Sequence, residues 1–172
     1  MPETDAVALA TSTRDGRPSV RMVLMRHHDE NEIGWYTNYA SRKGGELAEN
    51  PTAAILWYCE NLARQVRLEG PVFRCTDEES DRYFESRPRG HQIGSVISPQ
   101  SAVISGPDEL RNRDKELRRQ LGDGPIPRPR EWGGFRMRPE TVEFWRKEPN
   151  RLHSRILFTR IESGWSHCYL AP

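Results

Sequence analysis

Near the C-terminal end, Arg151-Leu152-His153-Ser154-Arg155 sets two permanent cations around one titratable imidazole, a short gap after the aromatic pair Phe144-Trp145. On an extended chain the side-chain period of two would project Arg151, His153 and Arg155 from one face. A guanidinium offers a planar fork of donors that matches phosphate oxygens. The imidazole can donate or accept near neutral pH. Together they suit a ligand that carries a phosphate and is partly aromatic. An exposed basic strand with an incidental histidine fits the segment equally well, so the rest of the chain must decide.

A second constellation is Tyr36-Thr37-Asn38 followed by Ser41-Arg42-Lys43-Gly44. Here a hydroxyl-rich strand end runs into a helix start. Free N–H groups and the positive end of the macrodipole gather at such a start and favour anions. Arg42 and Lys43 at that place make physical sense when a phosphate-like anion is bound there. Arg21 and Arg26 stand at the two ends of an alternating apolar strand, where they could bracket a ligand or simply reach solvent. Tyr83 and Arg87 lie four apart on a predicted helix and so share a face, which could hold a second phosphate. Gln65, Gln100 and Ser101 are neutral hydrogen-bonding residues with no signal of their own. The chain contains no HExxH, GxGxxG or Ser-His-Asp order, so zincin, Rossmann and triad-hydrolase chemistry find no support.

The elements that must position these residues read mostly as short strands. Residues 6–12 and 19–26 are predicted strands joined by the turn Arg14-Asp15-Gly16-Arg17-Pro18. Further strands are expected over 32–38, 52–59 and 64–74, with a short helix over 41–49 capped by Ser41. Thr76-Asp77-Glu78-Glu79 is a capping box that opens a helix to about Ser86. Helices are also expected over 90–97 and 107–121, and Pro125 to Pro129 reads as a stiff connector. Strands resume at 132–138, 141–146, 154–161 and 165–170. The expectation is a mainly β (α+β) fold, a single-domain barrel spanning 1–172 with helices inserted between its early and late strands.

Composition narrows the function classes. The 172 residues are 35% hydrophobic and 30% charged, enough for one soluble core. A net charge of +1 argues against a dedicated nucleic-acid or anionic-membrane binder. Cys59, Cys75 and Cys168 are isolated and form no zinc or disulfide pattern, so no metal is expected and a cytoplasmic location is.

Taken in order, seven motifs resemble the pyridoxine/pyridoxamine 5′-phosphate oxidase family. They are RxVLxR at 21–26, YTN..SRKG at 36–44, RQVRLEGPV at 64–72, YFxSRPR at 83–89, QIGxxxSxQS at 92–101, WGGFR at 132–136 and EFW…NRLHxR at 143–155. The resemblance runs over essentially the whole chain. It implies an FMN-binding split barrel that works as a homodimer, with each active site shared between subunits. It also implies an FMN-contacting set of Arg21, Met22, Val23, Leu24, Tyr36, Thr37, Arg42, Lys43, Gln65, Gln100, Ser101, Trp145 and Arg155. The substrate set would be Arg26, Tyr83, Arg87, His91, Arg151, Leu152 and His153, with Arg151 and His153 nearest the reacting carbon. The implied reaction oxidises pyridoxamine or pyridoxine 5′-phosphate to pyridoxal 5′-phosphate, with molecular oxygen reduced to hydrogen peroxide.

Three residues depart from the family pattern, all on the substrate side. Arg26 stands for a lysine, His91 for a serine, and Ser154 for an aspartate. They motivate two alternatives: a related flavin oxidase acting on another ring, such as an intermediate of phenazine-type metabolism, or a non-catalytic flavin or pyridoxal-phosphate binder. The family's usual N-terminal extension is expected to be absent, since the chain starts almost at the first strand.

Overall fold

The computed structural model describes residues 5–172, and its chain separates into two compact units. One comprises residues up to Trp35, Glu46–Phe73 and Arg136–Pro172. The other comprises Tyr36–Gly45 and Arg74–Phe135.

The first unit is built from strands. β1 (Ala6–Ser12) and β2 (Pro18–Leu24) form the expected hairpin, paired antiparallel from Ala6↔Leu24 to Ser12↔Pro18. Along β1, Val7, Leu9 and Thr11 are buried while their neighbours are only partly so, which is the period-two signature of a strand with one face on a core. β5 (Thr52–Cys59), β6 (Arg64–Arg74), β8 (Thr141–Arg146), β9 (Ser154–Ile161) and β10 (Gly164–Tyr169) complete it, in the spatial order β10-β9-β8-β6-β5-β1-β2. The two-residue β3 (His27–His28) pairs with β4 (Ile33–Asn38) at Gly34 and Ile33.

The second unit carries the helices α2 (Asp77–Ser86), α3 (Arg89–Ile97) and α4 (Pro107–Leu121) and the start of α1 (Arg42–Glu49). Its core is Phe84, Ile93, Ile126 and Trp132, with Leu117 and Leu121 of α4 packed against them. The capping box is present as read: Thr76 Oγ1 accepts from the Glu79 N–H at 3.2 Å, and Glu79 Oε2 accepts from the Thr76 N–H at 2.9 Å. Ser41 caps α1, its Oγ accepting from the Gly44 N–H at 3.4 Å. β7 (Trp132–Met137) is buried along its whole length. Two glycines make that possible, because a Cβ on Gly134 would sit 2.5 Å from Cys75 Sγ and 2.9 Å from the Tyr36 ring. Among the described residues no helix is long and apolar enough to cross a membrane.

Candidate active site

Strand register brings together three residues far apart in the chain. β6 pairs with β8 at Gln65↔Trp145, and β8 pairs with β9 at Trp145↔Arg155. Directly paired residues share a sheet face, so Gln65, Trp145 and Arg155 form one row across three strands. One step along, Arg67 faces Glu143, and Glu143 faces Leu157. With Trp57 and His153, the first row lines a cavity of about 760 Å³. An aromatic wall with amide, imidazole and guanidinium groups fits a planar heteroaromatic ring that has polar edges.

The Arg155 guanidinium is tightly held. Its Nε and Nη2 donate to the two Glu143 oxygens at 2.7 and 3.1 Å, and its Nη1 donates to the Ala171 carbonyl at 2.9 Å. Glu143 is 2% exposed and also receives Arg67 Nη2 at 2.8 Å. The hydrogen bonds from Arg155 hold the Glu143 carboxyl below its usual range despite burial, and the same contact raises Arg155.

His153 packs on Trp145 with ring centroids 4.7 Å apart. Its Nδ1 lies 3.2 Å from the Glu148 backbone N–H, which can only donate. Nδ1 is therefore the acceptor, and the ring proton sits on Nε2. The extended-face reading of 151–155 needs correction. Pro149–Arg151 is a 3₁₀ turn, with Asn150 at φ 56° and Arg151 at φ 61°, and β9 starts only at Ser154. The left-handed backbone takes Arg151 out of any common face with Arg155. Arg151 and Leu152 are both exposed. Ser154 Oγ donates to Glu148 Oε1 at 3.3 Å, and Arg146 grips the same carboxylate at 2.7 Å.

Arg21 lies on the more buried face of β2, where its Nη1 reaches the Leu9 carbonyl at 3.2 Å and Thr11 Oγ1 at 2.6 Å. Its Nη2 pairs with the buried Glu46 at 3.3 Å and also bonds Ser19. Met22 points outward at 64% exposure, while Val23 and Leu24 are half-buried. Arg26 is bonded to Asp5 at 3.1 Å.

In the second unit the two adjacent cations of α1 diverge. Arg42 is exposed, whereas Lys43 is 7% exposed. Lys43 Nζ donates to Thr37 Oγ1 at 3.0 Å, Gln100 Oε1 at 2.9 Å and Ser41 Oγ at 3.3 Å. Thr37 also donates to Gln100 at 2.8 Å. A neighbouring recess of about 370 Å³ is lined by Asn38, Arg42, Gln100 and Ser101, the last at φ 72°. Cations, hydroxyls and a helix start without acidic residues form a donor set that fits a phosphate.

Tyr36 and Tyr83 stack at 3.7 Å, and Tyr36 continues onto Trp132 at 5.6 Å. Arg87 lies over Trp132 at 4.6 Å and donates to Ser95 Oγ at 2.7 Å. His91 is exposed on α3, its carbonyl accepting from Ser95 Oγ at 3.1 Å. The structure thus gathers Gln65, Trp145, His153 and Arg155 in one unit. In the other it gathers Thr37, Lys43 and Gln100, and separately Tyr36, Tyr83 and Arg87.

The sequence matches the pattern described as pyridoxamine 5′-phosphate oxidase over residues 1–121. Residues 132–172 match the pattern described as the pyridoxine 5′-phosphate oxidase C-terminal dimerisation region. The chain belongs to the pyridoxamine 5′-phosphate oxidase family. It is 51% identical to the pyridoxine/pyridoxamine 5′-phosphate oxidase of Burkholderia thailandensis, over all of this chain and 81% of that protein. It is 52% identical to the chloroplastic pyridoxine/pyridoxamine 5′-phosphate oxidase 1 of Arabidopsis thaliana, over 99% of this chain. It spans only 33% of that longer relative. Among solved structures, PhzG from Burkholderia lata, in complex with tetrahydrophenazine-1-carboxylic acid, superposes with a TM-score of 0.92. The two are 33% identical, over 99% of this chain and 83% of that one. An FMN-binding protein from Nostoc punctiforme shares the fold at a TM-score of 0.77 and 19% identity. Family membership makes the fold the mainly β split barrel expected from the sequence and the cofactor FMN, and it makes the family's chemistry that of an oxidoreductase.

Reading the sequence assigns no role to Glu143, Glu46, Glu148 or Trp132, although all four touch an expected site residue. Glu143 carries a findable signal: assuming the β8–β9 hairpin register puts it diagonal to Arg155. Trp132 and Glu46 carry none, because their partners are remote in sequence.

Proposed function

We propose that the protein is an FMN-dependent oxidase that converts pyridoxamine or pyridoxine 5′-phosphate to pyridoxal 5′-phosphate. The observation that carries this reading is the Arg151-Leu152-His153 turn set against the Gln65–Trp145–Arg155 row, with the His153 proton fixed on Nε2. Lys43, Thr37, Arg42, Gln100 and Ser101 would hold the phosphate of FMN. Gln65, Trp145 and Arg155 would hold a flavin ring, and Arg21 to Leu24 and Tyr36 belong to the FMN-contacting set that the family resemblance implies. Bound FMN would supply the acceptor for a hydride equivalent; overall one molecule of oxygen becomes one of hydrogen peroxide, and with the amine substrate one water is consumed and ammonia leaves.

The protein's part is binding and orientation. Arg87 is aimed by Ser95 and the Trp132 ring, and with Tyr83 it would take the substrate phosphate. His153 would donate from Nε2 toward a ring substituent, its ring oriented by the Glu148 N–H on Nδ1. Arg151 stands beside it on an exposed turn, where it can close on an arriving anion.

Mixing the FMN-loaded protein with pyridoxamine 5′-phosphate should release peroxide and build up the aldehyde absorbance. No turnover above a flavin-only blank would overturn the reading. Arg151→Ala should slow oxidation far more than it weakens FMN binding. A phenazine-type ring is the second reading. It is favoured by the likeness to PhzG and by Arg26, whose guanidinium is engaged with Asp5. Turnover of a reduced phenazine carboxylate but not of the vitamin would select it.

We infer a homodimer as the working form. Residues 132–172 match a dimerisation pattern, and β10 is exposed along its whole length. We read both units as parts of one FMN-binding domain, since the chain passes from one to the other within β4, α1, β6 and β7. Three free cysteines support a reducing, cytoplasmic setting.

A further inference from the structure

We propose that Glu143 is a positioning residue, which fixes the plane and rotation of the Arg155 guanidinium. The assignment rests on the flavin reading of the Gln65–Trp145–Arg155 row and adds a residue that no part of that reading uses. Glu143 sits one register step from the row on the same sheet face, directly opposite Arg67 and diagonal to Arg155. It takes the Nε–Nη2 edge of Arg155 with both oxygens. Two parallel hydrogen bonds set the guanidinium plane, where a single bond would leave it free to swing.

The carboxylate is itself braced from behind by Arg67, which also pairs with Glu69 at 3.1 Å. The third Arg155 contact, from Nη1 to the Ala171 carbonyl, closes the rotation about the side chain. With the Nε–Nη2 edge occupied, the end of the fork is turned away from Glu143, and Arg155 lines the cavity. Stability is a weak reason for such an arrangement. Well-packed apolar residues commonly match a buried ion pair, because desolvation offsets the attraction. A carboxylate buried to 2% exposure beside the row is better explained by the orientation it imposes.

Titration of the apo-protein with FMN, followed by flavin fluorescence quenching, tests this, with thermal midpoints of the apo-proteins recorded alongside. Glu143→Gln should weaken FMN binding by roughly tenfold to a hundredfold, the scale of one charge-assisted anchor. Arg155→Lys, which keeps the charge but loses the fork, should do the same. The double variant should bind little worse than Arg155→Lys alone, since the two residues act through one group. Losses that simply add, or wild-type affinity in Glu143→Gln, would overturn the proposal, because a merely structural carboxylate would lower the midpoints without this coupling. If Glu143→Gln does not fold, Glu143→Asp replaces it: one methylene shorter, it should give an intermediate loss, and unchanged affinity would again refute the role. Wild-type protein that takes up no FMN would sink the flavin reading together with this assignment. Normal wild-type uptake with an unaffected Glu143→Gln sinks the assignment alone.

Discussion

The candidate-site cations of the two units rest on different anchors. On the strand-built unit, Arg21 is anchored by buried Glu46, and Arg155 and Arg67 by buried Glu143. On the helical unit, Lys43 is fixed by the oxygens of Thr37, Ser41 and Gln100, and Arg87 by Ser95 and the Trp132 ring. A carboxylate anchor fixes direction but spends much of the cation's field. Hydroxyl, amide and ring anchors fix direction without adding an opposing formal charge of their own. The first style suits recognition of a neutral ring by hydrogen-bond geometry, and the second suits capture of phosphate.

That contrast can be broken experimentally. The largest effect is expected from Trp132→Ala, which empties the helical unit's core and removes the platform under Arg87. Unfolding free energy should drop by about 3–5 kcal/mol in denaturant titration, and the KM for the phosphorylated substrate should rise. Lys43→Met should weaken FMN binding on the order of a hundredfold, the scale of a lost charged anchor; a Kd shift below threefold would contradict a phosphate role. Glu46→Gln should cost about 2 kcal/mol of stability, because Arg21, Thr11 and Ser19 lose a charged acceptor.

Acid should expose the strand-built unit's dependence on carboxylates. Glu143 is held below its ordinary value of 4.5, chiefly by the Arg155 hydrogen bonds. Its stabilising contribution is therefore complete above that value and is lost as pH falls through the depressed one. Thermal midpoints should decline on acidification more steeply in the wild type than in Glu143→Gln, and parallel curves would refute the linkage. The smallest effect is expected at Thr76→Ala, which removes a cap from α2 and should cost about 1 kcal/mol with FMN affinity unchanged.

Much of the fold was legible because its signals are local. β1, β5, β6, β8 and α4 keep the bounds that alternation, caps and turns predict. The family motifs made the fold, FMN and the oxidase family legible as well. What escaped was long-range or conformational. Nothing local separates a buried Lys43 from an exposed Arg42, and the Tyr36–Tyr83 stack joins residues far apart in the chain. The consecutive left-handed residues Asn150 and Arg151 contradict a period-two reading, because ordinary residues rarely adopt that backbone and no glycine announces it. The division into two units was equally hidden, because the chain crosses it inside regular elements.

The three-strand row of Gln65, Trp145 and Arg155 also determines where the chain can change length. Inserting one residue into β8 ahead of Trp145 would turn its ring to the opposite side of the sheet and put a neighbour in its place. The same insertion among residues 147–150 leaves every pairing of β8 with β6 intact and re-aims Arg151 together with the Glu148 contacts to His153 and Ser154. A few positions apart, then, the chain has one stretch where length is fixed by the site and another where length can vary and redirect substrate choice while the flavin-facing row stays in place.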